Sequence, residues 1–158
     1  MKKSHLIVAA IVILVFAIRL YFAFQTPYFS ESNAYFTIRE VKAIQETGHP
    51  LYDDPLSYSG RMYAFTPGFH YLIATIGSII PLKITAKVLP NLLASLLIII
   101  VFLIAERITK NDTSSLFAAL IVGFIPIYMK ETTNTLAIES LSIPLLFYLV
   151  FCFMHIKD

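Results

Sequence analysis

The sequence predicts an all-α, polytopic transmembrane helix bundle with a large external loop that carries amphipathic helices. Three observations predict it. Of the 158 residues, 58% are hydrophobic and only 14% charged, and the mean hydropathy of +0.76 is far too high for a soluble domain of this length. Several apolar runs approach the ~20 residues that a helix needs to cross the hydrocarbon core. Between the first two lies a long patterned polar stretch, Phe29 to Phe69, of a kind that membrane proteins rarely keep without using it.

The first span is Leu6 to Phe24, 19 residues interrupted only by Arg19. Met1-Lys2-Lys3 ahead of it mimics a signal peptide, but the run exceeds the usual ~7 to 15 apolar residues and no small-x-small site follows, so an uncleaved helix is expected. Residues 84–105, with the unbroken stretch Leu92 to Ala105, form the clearest second span, since backbone polar groups in lipid must be satisfied within their own helix. Pro90 is expected early in it, where a helix tolerates proline. A charged turn from Glu106 to Asp112 leads to a third span at about 114–129 and a fourth at about 137–155. Residues 25–83 make the external loop, and with no internal repeat or linker the whole of 1–158 reads as one transmembrane unit.

Within the loop, Ser30 or Ser32 is expected to cap a helix through Ala34 to Gln45 that stops at Gly48. Tyr35, Ile38, Val41 and Ile44 recur about once per turn and suit a helix on the membrane surface. Pro67 to Pro81 is harder to place: 15 residues with bounding prolines are short for a span and fit an interfacial or re-entrant helix. The choice decides whether Glu31 and Glu139 share a side of the membrane. Counting positive charges does not arbitrate, because the non-crossing reading puts Lys2, Lys3, Arg107, Lys110 and Lys157 inside, and the crossing reading Lys2, Lys3, Lys83, Lys87 and Lys130. Segment length favours four crossings.

Glu31 stands at the start of the loop helix, where a carboxylate gains from the positive helix end without any further role. Glu139 opens the last span among apolar neighbours; a carboxylate at midplane costs at least ~2.5 kcal/mol, so it belongs at the boundary or in a hydrated cavity. Lys130 and Glu131 read as a solvated pair. Asp53 to Arg61 is turn-forming, either simply solvated or a surface for an anionic head group with Arg61 as phosphate partner. Arg19 is expected to snorkel to the head groups and His70 to anchor a helix at the interface. The sequon Asn111-Asp112-Thr113 lies in a turn that four spans place in the cytoplasm, where glycosylation is not expected. The single Cys152 excludes an internal disulfide, and no dense basic stripe suggests a nucleic-acid partner.

The order of parts resembles the N-terminal half of the GT-C membrane glycosyltransferases, most closely the catalytic subunit of prokaryotic oligosaccharyltransferases. The parts are Arg19-Leu20, Glu31, a helix reaching Gly48, Asp54-Pro55-Leu56-Ser57-Tyr58-Ser59-Gly60-Arg61 and Thr66-Pro67-Gly68, continued through Leu93 to Leu97, Leu116 to Leu120, Tyr128-Met129-Lys130 and Glu139. The resemblance implies a membrane enzyme that transfers a sugar or oligosaccharide from a polyprenyl-phosphate-linked donor to a protein, lipid or glycan. Glu31 would stand where the family has a metal-binding Asp, and Glu139 at the last acid of a D-x-D motif, together holding Mg²⁺ or Mn²⁺. Lys130 would match a basic position, with Arg61, Asp54 and Tyr58 toward the donor. It also implies the non-crossing reading of Pro67 to Pro81, with both acids on the extracytoplasmic side of the cell membrane. Two departures stand out: the D-x-D position reads Ala137-Ile138-Glu139, and Glu replaces Asp at position 31. Because family enzymes have more helices, the chain looks like a fragment or half of a split enzyme with a complementary downstream membrane chain. The rival reading is a noncatalytic membrane subunit or small transporter component.

Overall fold

A computed structural model of the chain describes residues 3–53 and 66–156. These form seven helices: α1 (Lys3–Phe24), α2 (Ser32–Thr47), α3 (Gly68–Gly77), α4 (Leu82–Thr109), α5 (Asp112–Gly123), α6 (Pro126–Thr132) and α7 (Glu139–His155). The all-helical class expected from the sequence is what the chain adopts.

Helix α1 turns one stripe inward, with Ser4, Val8, Val15, Arg19 and Ala23 buried at helical spacing, while Ile13 and Leu14 on its other faces stay exposed. Helix α4 is the hub, packing on α1, α3, α5 and α7. It begins at Leu82 rather than Ile84, so Pro90 lies in the helix interior instead of near its start. Just after it, the side chains of Asn91 and Ser95 donate back to the carbonyls of Lys87 and Asn91 at 2.8 Å each. Gly123 lets α5 close on its neighbours: a Cβ there would lie 3.0 Å from Val15 Cγ2 and 3.1 Å from Ile98 Cδ1.

The third apolar segment departs from expectation. The single helix predicted over 114–129 is two helices, α5 and α6, bent by 47° at Phe124 and Ile125. The cause is Pro126, which has no N–H to continue the helical ladder and restricts the residue before it, but suits the first position of a new helix. Asn111 caps α5, its side-chain oxygen accepting from the amides of Thr113 and Ser114.

Helices α1 and α4 are long and apolar enough to cross a membrane, and the bent pair α5 and α6 makes up to three such segments. The fourth predicted span is α7, a shorter apolar helix of 17 residues, about 26 Å at 1.5 Å per residue. Helix α3 has ten residues, about 15 Å, half the ~30 Å hydrocarbon thickness, and is too short to cross.

Directions follow from contacts at the two ends. Lys87 near the start of α4 meets the carbonyls of Ala23 and Thr26 at the end of α1, while the rings of His5 and Phe102 meet at the opposite end, 5.7 Å apart. Helices α1 and α4 are therefore antiparallel. Arg107 and His155, near the C-terminal ends of α4 and α7, approach to 3.1 Å, so those two run parallel. The end of α1 and the start of α7 consequently lie at one end of the bundle.

That end carries α2 and α3 as a cap. Within the segment predicted as an external loop, the described residues are not a free loop: Ala34, Val41, Ile44, Phe69, Ile73 and Ala86 form an apolar cluster joining α2, α3 and the start of α4. Gln45 ties the pair further by donating to the Ala74 carbonyl at 3.1 Å. Helix α2 ends as predicted at Gly48, whose φ of +80° is the left-handed C-cap that glycine takes without steric cost.

Candidate functional site

Glu31 and Glu139 line the same cavity, of about 390 Å³, at the capped end of the bundle. Each sits at a helix N-terminus. Glu31 is the residue before α2 and makes no side-chain capping bond, so neither Ser30 nor Ser32 takes the cap position. Glu139 opens the first turn of α7. Among the described residues neither carboxylate has a hydrogen-bond or ion-pair partner, which leaves their oxygens to a ligand.

Two polypeptide segments carry these acids, and buried polar side chains fix both. Residues 25–31 follow α1 and are gripped from α4: Lys87, 1% exposed, donates its ammonium to the Ala23 and Thr26 carbonyls (2.6 Å to Thr26) and lies over the rings of Phe24 and Phe29. Residues 133–138 bridge α6 and α7. There Asn134 Nδ2 donates to the Tyr28 carbonyl at 3.0 Å and to Ser30 Oγ at 3.1 Å, and the Ser30 amide returns a bond to the Asn134 carbonyl at 3.0 Å. One asparagine thus joins the two acid-bearing segments. Asn134 and Leu136 adopt φ of +61° and +53°; asparagine visits this left-handed region readily, but for Leu136 it costs about 1–2 kcal/mol and persists only where surroundings over-determine it. Leu136 is repaid by burial in the cap cluster.

Arg19 does not snorkel. It is 1% exposed, donates Nη1 to Thr132 Oγ1 at 2.8 Å, and stacks on Tyr128 with its guanidinium carbon 5.1 Å from the ring centroid. Apolar flanks in the sequence fix its depth but not its direction, which here is inward.

The cavity also contains residues to which the sequence assigned other places. Glu131 lines it while pairing with Lys130 at 3.7 Å. His70 lines it from α3, buried to 2% exposure rather than anchoring at an interface, and its burial holds its pKa below the ordinary histidine value. Lys130 itself is exposed and does not line the cavity. Asp54, Tyr58 and Arg61 lie outside the described residues. The polar run Thr132-Thr133-Asn134-Thr135 between two apolar segments was the available signal for this wall.

No group of three or more His, Cys, Asp or Glu side chains among the described residues is placed to hold a metal ion. Ala137, where a first acid would stand, lines the cavity without a ligand atom in its side chain. Mg²⁺ commonly uses one or two protein carboxylates and takes its remaining oxygens from water and substrate phosphates. Glu31 and Glu139 fit that share of a site completed by a phosphate-bearing ligand, not a self-sufficient protein cage.

The family model described as Oligosaccharyl transferase STT3, N-terminal, matches residues 4–157. No curated protein and no solved structure matches the chain.

Proposed function

The chain belongs to the oligosaccharyl transferase STT3 family, and on that premise we propose that it carries the acid-bearing cavity of a glycosyltransferase whose donor is a sugar linked to polyprenyl phosphate or diphosphate. The observation that supports this reading is the meeting of Glu31 and Glu139 in one cavity at one end of the bundle.

In the proposed reaction the acceptor nucleophile attacks the anomeric carbon of the donor. The bond from that carbon to the phosphate oxygen breaks, and the lipid phosphate leaves with its electron pair. One of the two carboxylates takes the acceptor's proton, while the other holds the acceptor in line; such positioned proton transfer contributes about 10²- to 10⁴-fold. Lys130, outside the cavity lining but paired with the cavity-lining Glu131, would steady the phosphate with Arg61, and Asp54 and Tyr58 would contact the donor. A bound Mg²⁺ or Mn²⁺ would supply charge neutralisation for the departing phosphate, with Glu31 and Glu139 as its protein ligands. The same reading puts the cavity on the extracytoplasmic face of a multi-pass cell-membrane protein, where the polyprenyl chain of the donor lies in the bilayer.

The test is transfer of a radiolabelled lipid-linked sugar by the full-length protein in vesicles. Glu31→Gln and Glu139→Gln are each expected to lower the rate by about 10²-fold or more at unchanged membrane insertion. Near-native rates in both would defeat the assignment and favour a noncatalytic membrane subunit.

A further inference from the structure

Arg19 is a buried cation that the proposed chemistry leaves without a task. It lies inside the bundle on α1, and among the described residues no carboxylate pairs with it and its Nε has no hydrogen-bond partner. A charge buried without a counter-ion costs stability, which points to a function beyond packing.

Its partners are at the root of one cavity wall. Nη1 donates to Thr132 Oγ1 at 2.8 Å and reaches Thr133 Oγ1 at 3.4 Å, where α6 ends and the bridge to α7 begins. Beyond those threonines come the two left-handed residues, Asn134 and Leu136, and then Glu139. Just before them stands Glu131, also in the cavity. The Thr132 hydroxyl has its own acceptor in the Tyr128 carbonyl at 2.5 Å, so the helix does not need Arg19 to satisfy it.

We infer that Arg19 is a positioning residue: its guanidinium fixes the end of α6 through Thr132 and Thr133 and thereby sets where the Glu131 to Glu139 wall presents its carboxylates. This rests on the proposed transfer reaction. Arg19 touches no reacting atom and acts only through the segment it holds.

A purely structural role and a positioning role predict opposite results for Arg19→Met. Replacing an unpaired buried charge by an apolar side chain of similar length leaves no orphaned donor on Thr132 and is expected to leave thermal stability unchanged or raised. Positioning predicts that kcat, per inserted full-length molecule, nevertheless falls about 10²-fold, with KM for the lipid-linked donor little changed, because small misplacements of reacting groups are costly. Arg19→Lys keeps a point charge but loses the planar stacking and forked donors, so an intermediate loss of roughly tenfold is expected. Should Arg19→Met fail to insert, Arg19→Lys carries the test alone.

A second readout is independent of turnover. In a Cys152→Ser background, Ile138→Cys on the cavity wall should react faster with a membrane-impermeant maleimide when Arg19 is also Met. Native kcat in the inserted Arg19 variant, or an unchanged labelling rate, overturns the inference. Glu139→Gln run in parallel separates the two levels. If it stays fully active the transfer reaction itself is refuted; if it is inactive while Arg19→Met is native, only the role of Arg19 is.

Discussion

The bundle of α1, α4 and α5 and the cap built on its end bury different kinds of groups. Away from the cap, the bundle interior is mainly apolar, Val8, Val15, Leu97, Ile98, Phe102 and Ala119, with small polar side chains such as Ser4, Ser95 and Ser115 among them and no buried charged one among the described residues. At the cap end, Arg19, Glu40, His70, Lys87, Thr132 and Asn134 are all buried. Lipid tails are as apolar as leucine, so helices in a membrane gain from close approach and from polar contacts more than from removing apolar surface from water. The bundle uses the first means, as Gly123 against Val15 and Ile98 shows, and the cap uses the second. Charged and titratable groups, among the buried described residues, concentrate where the cavity is.

Lys87 sits at the seam of the two regions and gives the largest stability effect we expect outside the cavity. Its ammonium bonds to the end of α1, where a cation also meets the negative helix end. Lys87→Met would strip the fully buried Ala23 of its partner on the carbonyl, in contrast to Arg19→Met, which orphans nothing on Thr132. Loss of charge-assisted bonds with a buried acceptor left behind costs about 2–3 kcal/mol. Thermal unfolding in detergent should show a clear drop for Lys87→Met and none for Arg19→Met. Equal drops would mean that burial of charge, rather than satisfaction of carbonyls, governs this end.

How much of this was readable in the chain depends on the range of the cause. Local causes were legible: Gly48 as a helix stop, the apolar runs of α1 and α4, and the acids at 31 and 139 as helix-start residues. The break at Pro126 was also local, but the apolar run on both sides of it reads as one segment by composition. Arg19, Lys87 and Asn134 were not legible, since their partners are 61 to 113 residues away and a sequence gives no azimuth for a side chain inside a bundle. Glu131 and His70 were missed for the same reason. Each looks ordinary beside its neighbours and gains meaning only once α3 and the end of α6 meet.

Gly123→Val probes the bundle's own means of packing and should cost less than Lys87→Met. A β-branched side chain placed against Val15 Cγ2 and Ile98 Cδ1 overpacks the seam and forces those side chains to shift, an effect of about 1–2 kcal/mol. Val15→Ala in the same molecule should recover part of that loss, measured as a double-mutant cycle in detergent unfolding. If Gly123→Val proves the costlier change, close helix approach outweighs the polar seam and the comparison reverses.

The smallest effect belongs to His70, and it concerns pH. Burial disfavours its charged form, so its pKa in the folded chain lies below the unfolded value near 6.5. Above that value both states hold a neutral imidazole and its contribution to stability is complete. As pH falls below about 6.5 the unfolded chain takes up a proton that the folded chain resists, and stability declines until the folded pKa is passed. Glu31, Glu131 and Glu139 line the same cavity, so the diagnostic is the difference between wild type and His70→Gln, not the wild-type curve. Unfolding temperatures measured from about pH 7.5 to 5.5 should fall more steeply for wild type than for His70→Gln. Parallel slopes would show that the α3 wall of the cavity admits water and charge freely, and that the cap is as open there as a surface.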